Sequence, residues 1–117
     1  MIIAGTIEFG LHGYAGAQTS AIAERAGVSQ PNVYANFRSK RELFLACVGE
    51  LCTQSAHLAE HESLDDRQAL LLFQAFAAAR EPALGPELRG TVRAMREELG
   101  DDRIGLALAH AASILAA

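Results

Sequence analysis

Residues 29–41 read "SQPNVYANFRSKR", a polar and slightly basic run between two apolar helical patterns. Its amide side chains, which can donate and accept hydrogen bonds together, are Gln30, Asn32 and Asn36. Paired hydrogen bonds of this kind fit the edge of adenine in the major groove, which a purely cationic surface cannot distinguish. Tyr34 and Lys40 are residue types suited to phosphate oxygens. The segment is therefore a candidate for sequence-specific contacts with duplex DNA.

The charge balance argues against a protein that coats nucleic acid through bulk charge. The formal net charge is −4 at pH 7. Residues 1–52 hold four basic and four acidic side chains, whereas residues 53–117 hold six arginines and ten acidic side chains. The acidic excess therefore belongs to the second part of the chain, and we expect the two parts to have different roles.

Helical spacing of apolar residues recurs along the chain, and no stretch shows the alternation typical of a strand. The sequence therefore predicts an all-α fold of about seven helices. The first helix is short and ends near Gly13, because glycine can take the left-handed conformation that stops a helix.

Two further helices, over about residues 18–26 and 30–36, lie on either side of Gly27 and predict a helix-turn-helix. Ser29 is a suitable N-cap for the second of them, and Pro31 is tolerated in a first helical turn. The positions expected to pack between the two helices are small or apolar: Ile22, Ala23, Val28 and Val33.

The fourth helix is predicted to begin with the capping-box pattern of Ser39 and Glu42 and to continue to about Glu60. Asp65 or Asp66 then opens a helix to about residue 80 that is apolar almost all round and should be central. The next helix carries an apolar stripe of Leu88, Val92, Met95 and Leu99. A last helix begins at about Arg103.

The stretches "IIAGTIEFGLHGYAG" and "IAERAGVSQPNVYANFRSKRELFLACV" resemble the DNA-binding domain of the TetR (tetracycline repressor) family. The second follows the family pattern "IAxxAGVS…xxYxxFxSKxxL", and the resemblance covers about residues 2–51. It implies a helix-turn-helix DNA-binding domain over residues 1–46. A long fourth helix would join this domain to a helical ligand-binding and dimerisation domain over residues 47–117.

The resemblance also implies roles for individual residues. Base contacts are expected from Gln30, Pro31 and Asn32. Phosphate contacts are expected from Thr19, Tyr34, Asn36 and Lys40. Gly13 and Tyr14 would fix the bend between the first two helices, and Phe37 and Leu43 would pack.

The function implied by the resemblance is a cytoplasmic, ligand-responsive transcriptional regulator, most often a repressor. It would bind palindromic operator DNA as a homodimer and be released by a small-molecule effector. The effector pocket would lie between the fourth helix and the helices after it. Its expected lining combines polar and apolar side chains: His57, Phe73, Gln74, Phe76, Thr91, Arg93, Met95 and His110.

The chain departs from the family pattern in three places. Ala17 stands where a Ser or Thr usually caps the second helix, so water or neighbouring groups would have to cap it. The basic arm before the first helix is absent, and the chain is shorter than is usual in the family. We therefore expect a chain truncated at both ends, without the C-terminal helices of the dimer.

Other kinds of chemistry have less support. His57 and His61 share a helix face but have no third metal ligand at clear spacing, so no metal or other cofactor is expected. No nucleophile–base set indicates an enzyme. Cys47 and Cys52 are expected to be reduced, buried thiols, with redox sensing as the alternative. No apolar stretch of the sequence is long enough to span a membrane. The alternative function is a helical interaction or ligand-binding module that keeps the helix-turn-helix only as a scaffold.

Overall fold

The structure, a computed structural model, describes residues 1–117 as six α-helices without a strand, which confirms the predicted all-α class. The helices are α1 (Ile2–Gly16), α2 (Thr19–Ala26), α3 (Gln30–Asn36), α4 (Lys40–Ala56), α5 (Asp66–Ala77) and α6 (Gly85–Leu115). No helix is both long enough and apolar enough to cross a membrane.

Glycine interrupts the first and the last helix. Gly13 has φ 76° and ψ 172° inside α1, and Gly100 has φ 80° and ψ 158° inside α6. Both lie in a backbone region that is essentially restricted to glycine. Gly100 divides α6 into a first arm, residues 85–99, and a second arm, residues 101–115. The two arms correspond to the last two of the seven helices that the sequence predicts, joined at a break in α6.

The fourth helix is shorter than predicted. It ends at Ala56 rather than near Glu60, with His57 as its C-cap. The His57 ring Nδ1 lies 2.8 Å from the carbonyl oxygen of Thr53, one turn earlier. A loop over residues 57–65 then leads to α5.

All six helices contribute to one hydrophobic core of 24 buried residues. As predicted, α5 is central: it packs against α1, α4 and α6 and buries Leu70, Leu71 and Leu72. The predicted stripe on the first arm of α6 is also buried throughout, at Leu88, Val92, Met95 and Leu99. The apolar spacing of the sequence therefore identifies the faces that form the core.

The helix caps agree with the sequence only in part. Asp65 caps α5 in a complete capping box, since its side chain accepts from the Gln68 N–H at 2.8 Å and the Gln68 side chain accepts in return at 2.9 Å. Ser39 accepts from the Glu42 N–H at 3.1 Å, but the Glu42 carboxylate accepts from the Arg38 N–H instead of completing the box. Ser29 occupies the N-cap of α3 without a side-chain hydrogen bond.

Replacing Gly100 by alanine should destabilise the fold because a Cβ is disfavoured at its φ and ψ. We expect Gly100→Ala to lower the free energy of unfolding by about 1–3 kcal/mol. Gly90→Ala is the matched control on the same helix, since a Cβ at Gly90 meets nothing within 4 Å and its φ is not positive. It should raise stability by about 0.5–1 kcal/mol. Urea unfolding of both variants measures the effect, and equal effects would contradict a special role for Gly100.

Candidate nucleic-acid interface

The turn between α2 and α3 depends on Gly27. This residue adopts the left-handed conformation, φ 71° and ψ 28°, as predicted for the end of α2. Its N–H donates to the Glu24 carbonyl at 3.2 Å, and the Val28 N–H donates to the Ala23 carbonyl at 3.0 Å. These bonds satisfy the last carbonyls of α2 and turn the chain into α3.

The helix-turn-helix is held by a small apolar contact. Ile22, Ala23 and Val33 are buried, as predicted for the positions between the two helices. The prediction was wrong for Val28, which is 37% exposed, because it lies in the turn, where neither helix covers it. The contact therefore depends on three side chains rather than four.

Helix α3 directs its predicted contact residues to solvent. It has seven residues, and Val33 is its one buried side chain. The side chains predicted to contact bases or phosphates are all exposed on it: Gln30, Pro31, Asn32, Tyr34 and Asn36. Four of them carry an amide or a hydroxyl that can both donate and accept hydrogen bonds. The structure thus presents this polar set on a short protruding helix.

Two of the predicted phosphate residues contact each other. The Tyr34 hydroxyl donates to Thr19 Oγ1 at 3.3 Å, which joins α3 to the first residue of α2. Thr19 is otherwise buried, with 8% of its surface exposed, whereas Tyr34 is 46% exposed. Tyr34 is therefore the more accessible of the two, and Thr19 supports its position.

Lys40 lies at the first residue of α4 and holds the turn between α1 and α2. Its ammonium donates to the carbonyls of Ala15, at 3.3 Å, and Ala17, at 3.1 Å. It also lies 5.1 Å from the centre of the Tyr14 ring, within the range of a cation–π contact. Two of its three N–H donors are engaged, which leaves one for an external acceptor.

An aromatic cluster anchors α4 to α1. The rings of Phe9 and Phe44 meet edge to face with centroids 5.0 Å apart, and Tyr14 lies 5.1 Å from Phe44. Such pairs stabilise by about 0.5–1.5 kcal/mol beyond the area they bury. The cluster fixes the start of α4 next to the α1–α2 turn, where Lys40 also acts.

The structure identifies Glu8 as a supporting residue that the sequence analysis missed. Its carboxylate, only 3% exposed, accepts from the backbone N–H of Gln18 at 3.2 Å and lies 3.5 Å from Arg25 Nε. Gln18 is the N-cap of α2, and a carboxylate at a helix N-terminus also interacts favourably with the helix dipole. Glu8 therefore supplies the cap that Ala17 cannot. The available signal was an acidic residue on the otherwise apolar, buried face of α1, next to Phe9.

The sequence profile described as "Bacterial regulatory proteins, tetR family" matches residues 2–47, from the start of α1 into α4. The match covers residues 2–47 of the 117, so the similarity to this family holds for the helix-turn-helix part of the chain. A solved structure agrees with this assignment: a protein from Mesorhizobium loti, provisionally named a TetR-family transcriptional regulator, is 25% identical with a TM-score of 0.53. The similarity covers 98% of this chain and 65% of that one, so the chain spans slightly less than two thirds of the length of this solved structure.

The residues expected to line an effector pocket are dispersed over the structure. Met95 is fully buried in the hydrophobic core, and Phe73 and Phe76 are partly buried against that core. The Gln74 amide donates to the Gly10 carbonyl at 3.1 Å and ties α5 to α1. The Thr91 hydroxyl donates to the carbonyl of Glu87 within α6.

The other three candidates of that set face solvent at separate places: His57, Arg93 and His110. Of the whole set, only His110 lines the cavity beside the second arm of α6. The set thus surrounds no common cavity within this chain, and its role in ligand binding stays a prediction.

The two cysteines differ in their surroundings. Cys47 is buried and Cys52 is half-buried, and both are free thiols. Burial raises the pKa of Cys47 from 9.0 to about 11, although a hydrogen bond with Thr6 acts in the opposite direction. A thiol with a raised pKa holds little reactive thiolate at neutral pH, so Cys47 is better suited to packing than to redox sensing.

The raised pKa of Cys47 predicts a loss of stability in alkali. The unfolded chain releases this proton above pH 9.0, whereas the folded chain retains it until about pH 11. The protonated Cys47 thiol therefore contributes about 2–3 kcal/mol to the free energy of unfolding below pH 9, and this contribution is lost as the pH rises through 11. We expect the difference in unfolding free energy between the unmodified chain and Cys47→Ala to decrease over this interval. A difference that stays constant with pH would contradict the assignment.

Glu8→Gln should weaken the helix-turn-helix, because an amide can still accept from the Gln18 N–H but loses the charge opposite Arg25. We expect the free energy of unfolding to fall by about 1–3 kcal/mol, which is the typical contribution of a hydrogen bond to a charged group. Glu24→Gln is the matched control, since Glu24 is exposed on α2, and its effect should stay within about 0.5 kcal/mol. Similar losses in the two variants, measured by urea unfolding, would refute a capping role for Glu8.

Proposed function

We propose that this chain is a DNA-binding transcriptional regulator that contacts the major groove with α3. The observation that supports this most directly is the exposed polar row on α3 within a helix-turn-helix of the tetR family. Gln30 and Asn32 near the start of α3 are suited to base edges, with Pro31 between them. Tyr34, Asn36 and Lys40 are suited to phosphates, and Thr19 would position Tyr34. Residues 1–46 would form the DNA-binding domain, and residues 47–117 the ligand-binding and dimerisation domain.

Palindromic recognition would require two copies of the chain. Recognition helices of a helix-turn-helix dimer enter major grooves about 34–36 Å apart, and one copy carries a single such helix. The second arm of α6 supports a homodimer, because Leu106 is 69% and Leu115 38% exposed. A partner chain that covers an exposed leucine such as Leu106 would remove its apolar surface from water. The homodimer would act in the cytoplasm, where the DNA is.

A connection between α4 and α6 supports a response to a small-molecule effector. Arg41 Nε donates to the Ala83 carbonyl at 2.6 Å, and Arg41 Nη2 lies 3.6 Å from the Glu87 carboxylate in the first turn of α6. Arg41 follows Lys40 directly, so a shift of α6 would reach the residue that holds the α1–α2 turn. An effector that binds one position of α6 more tightly than another would change the free energy of DNA binding by the difference between its two binding free energies. A repressor that its effector releases from DNA fits this scheme.

A second candidate function is an interaction module in which the helix-turn-helix serves only as a scaffold. The engagement of Lys40 favours it, since two of its N–H groups are bound to carbonyls of the same chain. The acidic excess of residues 53–117 favours it as well. A direct DNA-binding experiment distinguishes the two candidates.

The experiment is selection from a pool of random duplex DNA at two salt concentrations, followed by sequencing of the retained fraction. The proposal predicts a palindromic site and an affinity that falls as salt rises, because phosphate contacts release counterions. Retention of no DNA by a folded sample would reject the regulator and leave the interaction module.

Gln30→Ala should relax the preference at particular base pairs of the selected site and weaken binding there by about 1–3 kcal/mol. Tyr34→Phe and Lys40→Ala should instead weaken binding to all sequences. Arg67→Ala is the charge control, because Arg67 is exposed at the start of α5, away from α3. If Gln30→Ala leaves the sequence preference unchanged, α3 is not the element that distinguishes bases.

A further inference from the structure

A cavity of about 320 Å³ lies between the loop at 57–65 and the second arm of α6. Four leucines form most of its walls: Leu58, Leu64, Leu99 and Leu106. Arg103 and His110 are the ionisable side chains that line it. Ligand sites combine a mostly apolar wall with a few polar groups in this way, and the volume lies at the lower end of their range of about 300–1,000 Å³.

Arg103 is a half-buried cation that faces backbone carbonyls only. Its guanidinium donates to the carbonyls of Leu99 at 3.0 Å, Ala59 at 3.1 Å, Glu98 at 3.4 Å and Glu62 at 3.5 Å. Arg103 has no carboxylate within 4 Å, in contrast to Arg25, Arg41 and Arg96, each of which has one. The positive charge of Arg103 is therefore not neutralised by an ion pair within the chain.

The other ionisable side chain of the cavity, His110, lies beside a negatively charged residue. Its Nε2 lies 2.5 Å from a carboxylate oxygen of Asp66, so its polar edge is already occupied. Asp66 adds a negative charge on that side, and an anionic group entering the cavity would be favoured at Arg103 and disfavoured near Asp66. The cavity thus offers one cationic end and an apolar body.

We propose that this cavity binds a small amphipathic anion. Its aliphatic body would lie against the leucines, and its carboxylate would accept charge-assisted hydrogen bonds from Arg103. A planar guanidinium can bind a carboxylate through two parallel N–H donors, and such bonds are about twice as strong as neutral ones. The site supplies the effector class for the proposed regulator and rests on that function for its regulatory meaning.

The same contacts indicate how the anion would act on the fold. Arg103 joins the Gly100 break of α6, through Leu99, to the loop that follows α4, through Ala59. A bound carboxylate would compete for the donors now given to the loop carbonyls. The loop would then be released from α6, and the end of α4 would become free to shift.

The test uses the unmodified chain and three unbranched ligands that each contain eight carbon atoms: octanoate, octyl alcohol and octylamine. Calorimetry should show saturable binding of octanoate, at least about tenfold tighter than that of the alcohol or the protonated amine. Absence of octanoate binding overturns the proposal, and equal affinities for all three ligands overturn the assignment of an anion.

Two pairs of variants locate the site. Leu106→Trp narrows the cavity and should weaken octanoate binding, whereas Leu11→Trp, at an exposed leucine of α1 outside the lining, should leave it unchanged. Arg103→Gln should weaken octanoate binding by at least about tenfold and leave octyl alcohol binding nearly unaffected, whereas Arg89→Gln, at an exposed arginine of the first arm, should change neither. Because Arg103 also ties the loop, circular dichroism checks its variant. Octanoate binding that Leu106→Trp does not weaken would place the ligand elsewhere and refute the proposal.

Binding of octanoate and binding of DNA are measured separately, so their failures are distinguishable. A chain that retains duplex DNA but ignores octanoate refutes the cavity proposal and leaves the regulator intact. A chain that binds octanoate at this cavity but retains no DNA supports the ligand site and refutes the regulator. If both bind, octanoate should lower the fraction of duplex retained, and an unchanged fraction would refute its action as an effector.

Discussion

Helix α3 cannot be stable by itself, and this constraint explains much of the surrounding structure. It has seven residues, and Val33 is its one buried side chain. Isolated helices shorter than about 12–15 residues are marginal in water, because the first turn costs more entropy than one hydrogen bond returns. Its geometry must therefore be imposed by neighbouring helices. The same constraint leaves the rest of its surface free for contacts with a partner.

The support for α3 converges on the start of α2. Glu8 holds the N–H of Gln18, Tyr34 reaches Thr19, and Lys40 holds the carbonyl of Ala17. Each bond joins a different helix to the same three consecutive residues. The apolar contact beneath them, at Ile22 and Val33, fixes the distance between the helices, and the polar bonds fix their rotation. The arrangement explains how a helix with so little core of its own is held in one orientation.

Local patterns were sufficient to predict helix positions from the sequence. Gly27 ends α2 because its φ suits glycine, and the stripe from Leu88 to Leu99 is buried because its spacing follows one helix face. The predictions failed where two nearby N–H groups compete for one carboxylate, and where the crossing of two helices decides exposure. The Glu42 carboxylate accepts from Arg38 instead of completing the Ser39 box, and Val28 is left exposed by the way the two helices cross.

The polar contacts that build the site were the least predictable part. Glu8 and Gln18 are ten residues apart, Lys40 and Ala17 are 23 apart, and Arg103 and Ala59 are 44 apart. No local period specifies such pairs, since they follow from the packing of whole helices. The types and exposure of the α3 side chains could be predicted from the sequence, whereas their supports required the fold.

Helix α4 is tied to α6 near both of its ends, and the ties belong to different arms of α6. Arg41, in the first turn of α4, meets Glu87 and the preceding carbonyl of Ala83 at the start of the first arm. Arg103, on the second arm, meets the loop that follows α4. Gly100 lies between the two ties and is the point where the two arms join. A change of angle at Gly100 would therefore tilt α4 as a whole, and its end at Lys40 adjoins the turn that positions α2 and α3.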